Sequence, residues 1–297
     1  MTRERPSQLA ALRQRALPVA VVLAVTMLVW YLGCIALNAQ GAIERVLPNR
    51  PGWSTSDLIA VTWSMERPVL PAPHQVAADL WSSIVDWPLD SPRNLLLHVA
   101  VTAQSTLVGF VFGTLFGVLL AAAIVHSRTL DRALLPWIVA SQTVPVLAIA
   151  PIVLVILGTL GFSGVAPKAA IAMYLCFFPV TVAMVQGLRS PQRIETELMH
   201  TYAATRLQAF WMLRLPAALP YLFPSLRIAI AAGLVGAMVA ELPTGAQAGL
   251  GAKLLTGSYY GNTVGIWSAL VMSALLGLGL TAAVAAVERL MLRERRT

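Results

Sequence analysis

The sequence predicts an all-α polytopic membrane protein with six transmembrane helices. Three observations carry this expectation. Of 297 residues, 58% are hydrophobic and 11% are charged, with a mean hydropathy of +0.74; soluble domains carry about 25% charge. Six apolar windows, at 17–38, 98–125, 137–160, 168–188, 220–242 and 264–287, are long enough to span a bilayer with some tilt. No β-barrel alternation is present, so the backbone polar groups in lipid must be satisfied within helices.

The first span follows Arg3, Arg5, Arg13 and Arg15. Its apolar run of about 22 residues is too long for a signal-peptide core, and no clear small-x-small cleavage site follows, so an uncleaved helix is expected. Residues 39–97 form a long connection in which Pro48, Pro51, Pro68, Pro71, Pro73, Pro88 and Pro92 rule out one continuous helix. Within it, Leu70-Pro71-Ala72-Pro73 reads as a turn leading into a short amphipathic helix. Val76, Leu80, Ile84 and Trp87 fall on one face of that helix, and Trp81 suits a membrane interface. His74 and His98 are expected at the surface or interface rather than as ligands, and residues 41–69 carry no assignable role.

The second span places Gly109, Gly113 and Gly117 at four-residue spacing, a stripe that lets a neighbouring helix approach closely. A short polar turn, 126–132, leads to the third span, where Pro145 and Pro151 interrupt an apolar run. Each proline removes a backbone hydrogen bond, and such breaks survive in membranes where protein or a cavity satisfies the freed groups. Two readings stay open: a simple kink, or a pore-lining bend with Ser141, Gln142 and Thr143 presenting polar groups to a pathway.

Between spans four and five lies a polar island, 189–219, carrying Arg189, Arg193, Glu195, Glu197, Arg206 and Arg214. Each charge at bilayer depth would cost about 2.5–3.5 kcal/mol, so the island is an aqueous loop. Its pattern gives one helical stretch, ETELMHTYAA, then a second, TRLQAFWML, closed by Leu215-Pro216 and again by Leu219-Pro220. Span five ends at Glu241, the one carboxylate inside or beside an apolar span and therefore a candidate pathway residue together with Met238. Alternatively, Glu241 caps the following glycine-rich loop or pairs with Lys253.

With the N-terminus inside, most of the 21 basic residues fall on the cytoplasmic side, among them those at 128, 132, 189–214, 227 and 289–296. An even number of spans then returns the C-terminus to the same side. The net charge of +8 thus sits at span ends, where arginines orient helices and meet anionic lipid; no basic stripe with interleaved aromatics suggests nucleic acid. Cys34 and Cys176 lie within spans without metal-ligand spacing, so neither a metal nor a disulfide is expected. Lys253 is out of register for a phosphate-binding GxxxxGK loop, and no catalytic constellation occurs, so neither a cofactor nor enzymatic activity is expected.

The order Glu197, Leu198-Met199, three residues, Ala203, nine residues, Leu213-Arg214-Leu215-Pro216 resembles the Glu-Ala-Ala loop of ABC-importer permeases. Leu198 and Met199 replace its two alanines, and Ala203 replaces its glycine. Leu-Pro-Ala-Pro at 70–73, the Pro-x-x-Ala-x-x-Pro run from Pro145 to Pro151, and Val239-Ala240-Glu241 followed by Gly249-Leu250-Gly251 are similar to segments of the nitrate, sulfonate, taurine and pyrimidine-precursor branch. Ser105 stands where that branch often has arginine.

The resemblance covers roughly residues 70–290 and implies a type I importer fold: five core spans within 98–290, an extra first helix (1–39), an external loop (40–97) and a tail (291–297). It implies a bacterial inner-membrane location, two ATPase subunits, a second permease chain (usually a homodimer) and an external solute-binding protein. In such a chain the 189–219 loop docks on the ATPase, with Glu197, Tyr202, Ala203, Ala204, Arg206, Phe210, Trp211, Leu215 and Pro216 as the coupling residues. Tyr202, Phe210 and Trp211 would seat the loop in an apolar cleft, or else pack it against the chain's own helices. The transported solute is expected to be a small organic molecule. An ATP-independent transporter or channel is the alternative.

Overall fold

The computed structural model describes residues 8–49, 52–243 and 248–293. Among these residues the structure is helical without strands. Five stretches are long and apolar enough to cross a membrane, and a helix pair bent by 104° makes six if it is counted as one span. The chain folds as two units, Met1–Trp87 with Thr256–Ser268, and Pro88–Leu255 with Ala269–Thr297.

In the first unit, α1 (Gln8–Arg45) is followed by α2 (Thr55–Ser64) and α3 (Pro73–Val85). Ser54 and Asp57 form a capping box that starts α2. The connection back to α1 is held by Asn38, which is buried. Its Nδ2 donates to the carbonyls of Thr62 (3.2 Å) and Leu70 (2.8 Å), while its Oδ1 accepts from the N–H groups of Val69 (2.8 Å) and Leu70 (3.2 Å). Every hydrogen-bonding site of one amide is thus used to fix the turn before the Leu-Pro-Ala-Pro segment. Trp30 Nε1 donates to Pro71 O at 3.0 Å, and Pro73 opens α3, where its missing N–H leaves no bond unmade. Within residues 41–69, to which the sequence assigns no role, 41–45 end α1 and α2 packs back on α1. His74 is exposed, as expected, but α3 stops at Val85, so Trp87 lies beyond its apolar face.

In the second unit, α7 (Val165–Leu188) lies between α4 (Leu95–His126) and α10 (Leu215–Glu241). The glycine stripe explains the first contact. A Cβ on Gly113 would sit 2.6 Å from Cys176 Cβ, and one on Gly117 would sit 2.9 Å from Phe177 O. On the opposite side, a Cβ on Gly233 would meet Cys176 Sγ at 2.6 Å. Cys176 is therefore a packing residue, with its thiol donating to Ala229 O at 3.1 Å. Because lipid supplies no hydrophobic drive between helices, such close backbone approach is what holds the three together.

The expected single span at 137–160 is not one helix. α5 (Arg128–Ser141) and α6 (Val146–Thr159) meet at 104°. Pro145 disfavours helical backbone at Val144 and cannot donate to the preceding turn, so α5 ends and Pro145 caps α6. Pro151, by contrast, is absorbed inside α6.

The second correction concerns Leu215-Pro216, which does not close a helix. After α8 (Arg193–Thr201), the short α9 (Arg206–Ala209) passes through a π turn at Phe210–Arg214 directly into α10. Leu215 N–H bonds Phe210 O, one residue further back than in an α-helix. The widened turn gives the Pro216 ring room that an α turn would deny it. Pro220 and Pro224 follow inside α10. Two further helices, α11 (Leu250–Tyr260) and α12 (Thr263–Arg293), complete the chain.

Candidate functional site

Two places in the second unit gather the residues singled out from the sequence. The first is segment 189–219. Leaving α7, Arg189 forms an ion pair with Asp131 at the start of α5 (2.8 Å). Glu195 accepts from the Gln192 N–H at 2.7 Å and so starts α8. Glu197 pairs with Arg193 one turn back at 2.7 Å, both side chains being exposed; Arg206 is exposed and lies beyond the next turn.

That turn is a Schellman motif. Ala203 N–H bonds His200 O at 2.9 Å and Ala204 N–H bonds Met199 O at 3.0 Å. Ala203 has φ +52°, left-handed backbone that glycine adopts without strain and alanine does not. It occupies the very position where the resembled loop carries glycine. Thr205 then caps the next helix in a capping box with Gln208.

The apolar side chains of this segment point two ways. Phe210 is half-buried and packs on His126 at the end of α4, with ring centroids 5.1 Å apart. Tyr202 and Trp211 are exposed, at 77% and 59%. Ile194 and Leu198, four residues apart on α8, are also exposed, as is Leu207. Of these exposed apolar residues, Ile194 and Leu207 are not picked out by the motif and Leu198 stands at one of its alanine positions; the i, i+4 spacing of Ile194 and Leu198 on an otherwise polar loop is the signal. Leu215 and Pro216 are half-buried at the start of α10. Behind the segment is a cavity of about 340 Å³ lined by Val125, His126, Met199, Arg206 and Leu213.

The second place surrounds Glu241, which is fully buried. Thr102 Oγ1 on α4 donates to its carboxylate at 2.9 Å, Gly251 N–H donates at 2.8 Å, and Lys168 Nζ at the start of α7 stands 3.6 Å away. Lys168 also donates to Ala248 O at 3.0 Å. Glu241 thus pairs with Lys168 rather than Lys253. The glycines explain how the loop closes over it. Gly249 has φ +137°, and a side chain there would strike the Glu241 carboxylate; a Cβ on Gly251 would strike Met238 O.

His98 is buried, contrary to expectation. Its Nε2 donates to Pro92 O at 2.9 Å, and in that neutral tautomer its Nδ1 accepts from Gly249 N–H at 3.0 Å. His98, Thr102 and Lys168 are the residues that sequence reasoning missed. They are separated by long stretches of chain from the loop they hold, so no local motif could mark them. Lys168, Gln104 and Ser163 line a cavity of about 890 Å³ beside this cluster.

The polar bend residues are not brought to that cavity. Ser141 and Gln142 line a separate one of about 200 Å³ with Tyr174, whose hydroxyl donates to Ser141 O at 2.6 Å. The Ser141 and Thr143 hydroxyls donate back to Ile138 O and Ala140 O, at 2.7 and 2.8 Å. Tertiary contacts thereby satisfy the carbonyl exposed by the break.

The chain matches the family model for a binding-protein-dependent transport system inner membrane component over residues 113–293. It is 31% identical to a formylaminopyrimidine transport permease protein of Halalkalibacterium halodurans, over 80% of this chain and 93% of that protein. A riboflavin transport system permease protein of Chloroflexus aurantiacus is 32% identical, over 76% and 80%. A taurine transport system permease protein of Escherichia coli is 29% identical, over 62% and 67%.

Proposed function

The chain belongs to the family of binding-protein-dependent transport system inner membrane components and is a permease subunit of an ABC importer, not an enzyme, and on that premise we propose that segment 189–219 is the lever through which separate ATPase subunits drive it. The observation that carries this reading is the exposed apolar row Ile194, Leu198, Tyr202, Leu207 and Trp211. These side chains protrude from a loop whose charges keep it out of lipid, and its helix continues into α10 without an intervening loop. Aromatic and aliphatic groups held out on a short helix suit insertion into a cleft of a partner, with Glu197 and Arg206 exposed beside them for charge pairing at the rim.

In this proposal two copies of the chain, two ATPase subunits and an external solute-binding protein make the working importer. Both termini and segment 189–219 lie on the cytoplasmic side, in keeping with the distribution of arginines. ATP binding then shifts the permease between inward-open and outward-open states, because the segment contacts the ATPase differently in each. A small organic solute is the proposed cargo, in line with the names of the formylaminopyrimidine and riboflavin relatives. The cavity beside Lys168, the bend at Ser141–Pro145, Met238 and the Glu241 cluster are proposed to belong to the translocation pathway, with Glu241 shaping its wall through the loop it holds.

Co-purification of the detergent-solubilised chain with candidate ATPase subunits tests the reading. Wild type is expected to retain an ATPase and Glu197→Lys to lose it while still inserting in the membrane. Wild type that binds no ATPase would overturn the proposal in favour of ATP-independent transport.

A further inference from the structure

Segment 189–219 is joined to most helices of the second unit in plain ways. It leaves α7 and enters α10 along the chain, touches α4 through His126 and Phe210, and reaches α5 through Arg189 and Asp131. Among the described residues α12 has no such link. It meets α10 where Gly277 faces Leu234, a Cβ there standing 3.2 Å from Leu234 Cδ2, and where Arg227 forms an ion pair with Glu288.

The two contacts differ in kind. Gly277 against Leu234 is an apolar contact with no directional bond. Arg227 and Glu288 are charges at or beside apolar spans, and Arg227 stands about 18 Å along α10 from Leu215 at 1.5 Å per residue. Glu288 is the more buried of the two and has Arg227 as its partner. Apolar side chains of similar volume would pack the same two helices without desolvating a charge, so what the pair adds is a fixed register. Arg227 Nη2 makes the contact, while its Nε is buried and has no hydrogen-bond partner among the described residues. The guanidinium fork therefore has a second donor along its edge, in a geometry that a lysine lacks.

We propose that Arg227 and Glu288 are positioning residues that carry movement of segment 189–219 into α12. The proposal rests on the coupling role given to that segment above. It makes α12 a driven element of the importer rather than a passive anchor.

The test uses the full chain with its co-purified ATPase in lipid nanodiscs. A single spin label is placed at Thr201→Cys on α8 or at Leu290→Cys on α12, both exposed positions; the native Cys34 and Cys176 are buried and stay in place. Spectra are compared before and after trapping with ATP and vanadate. Wild type should show a trapping-dependent change at both labels. Glu288→Gln, nearly isosteric, should lose the change at position 290 and keep it at 201. The exchange Arg227→Glu with Glu288→Arg should restore it, whereas a merely structural loss would alter the spectra at both labels. An unaltered change at position 290 in Glu288→Gln would overturn the strut while leaving the coupling role standing. Absence of change at both labels in wild type would overturn both.

Discussion

The Thr102 hydroxyl joins Glu241 to the loop that covers it: it donates to the carboxylate at 2.9 Å and accepts the Leu250 N–H at 2.8 Å. One side chain on α4 thereby serves the end of α10 and the start of α11 together. Thr102→Val keeps the shape and removes both bonds, leaving a buried carboxylate short of a donor and a buried N–H without an acceptor. The expected loss is about 2–4 kcal/mol, read as a lowered thermal midpoint of the detergent-solubilised chain. Thr102→Ser should stay within about 1 kcal/mol of wild type.

Lys168 and Glu241 predict non-additivity. Removing one member of a buried ion pair costs about 3–5 kcal/mol because the other charge is left uncompensated, whereas removing both is far less harmful. Lys168→Met and Glu241→Gln should each lower the thermal midpoint. The double variant should be more stable than the sum of the single losses implies, and simple additivity would show that the two groups do not interact.

Ala203 holds a left-handed backbone in the Schellman turn after α8. Ala203→Gly relieves that strain, so the turn should gain about 0.5–1 kcal/mol. Slower amide exchange at Ala203 and Ala204, whose N–H groups close the motif, is the expected observation. Faster exchange would mean that the added freedom of glycine in the unfolded chain outweighs the strain.

Gly113 meets Cys176 and Met173 of α7 too closely for any side chain. Gly113→Ile should force α4 away from α7 and abolish recovery of folded chain from the membrane. Gly279, with nothing within reach of an added Cβ, provides the control: Gly279→Ala should be recovered normally.

Much of this architecture was legible in the sequence, for reasons that are local. Span length and apolarity follow from bilayer thickness, and the Gly109–Gly113–Gly117 stripe follows from helical periodicity. The prolines at 145 and 216 were equally visible, but their outcomes differ. Pro145 follows a residue already leaving the helix, and the chain turns by 104°. Pro216 follows a π turn and the helix continues. Which occurs depends on neighbouring backbone that proline spacing does not encode.

The Glu241 cluster shows the other boundary. Glu241 stood out because a carboxylate is expensive beside an apolar span, and Lys253 was the nearest cation in sequence. Helix order instead brings Lys168 to it, along with Thr102 from 139 residues away. His98 was misplaced at the surface for the same reason, its partner Gly249 being 151 residues distant.

The central claim, that segment 189–219 seats on an ATPase, is tested most directly by photo-crosslinking. A benzophenone amino acid replaces Tyr202, 77% exposed on that segment, or Tyr259, 79% exposed on α11. Irradiation of the intact complex in membranes should yield an ATPase adduct from position 202 and none from 259. An ATPase adduct from 259 with none from 202 would contradict the account and move the docking surface elsewhere.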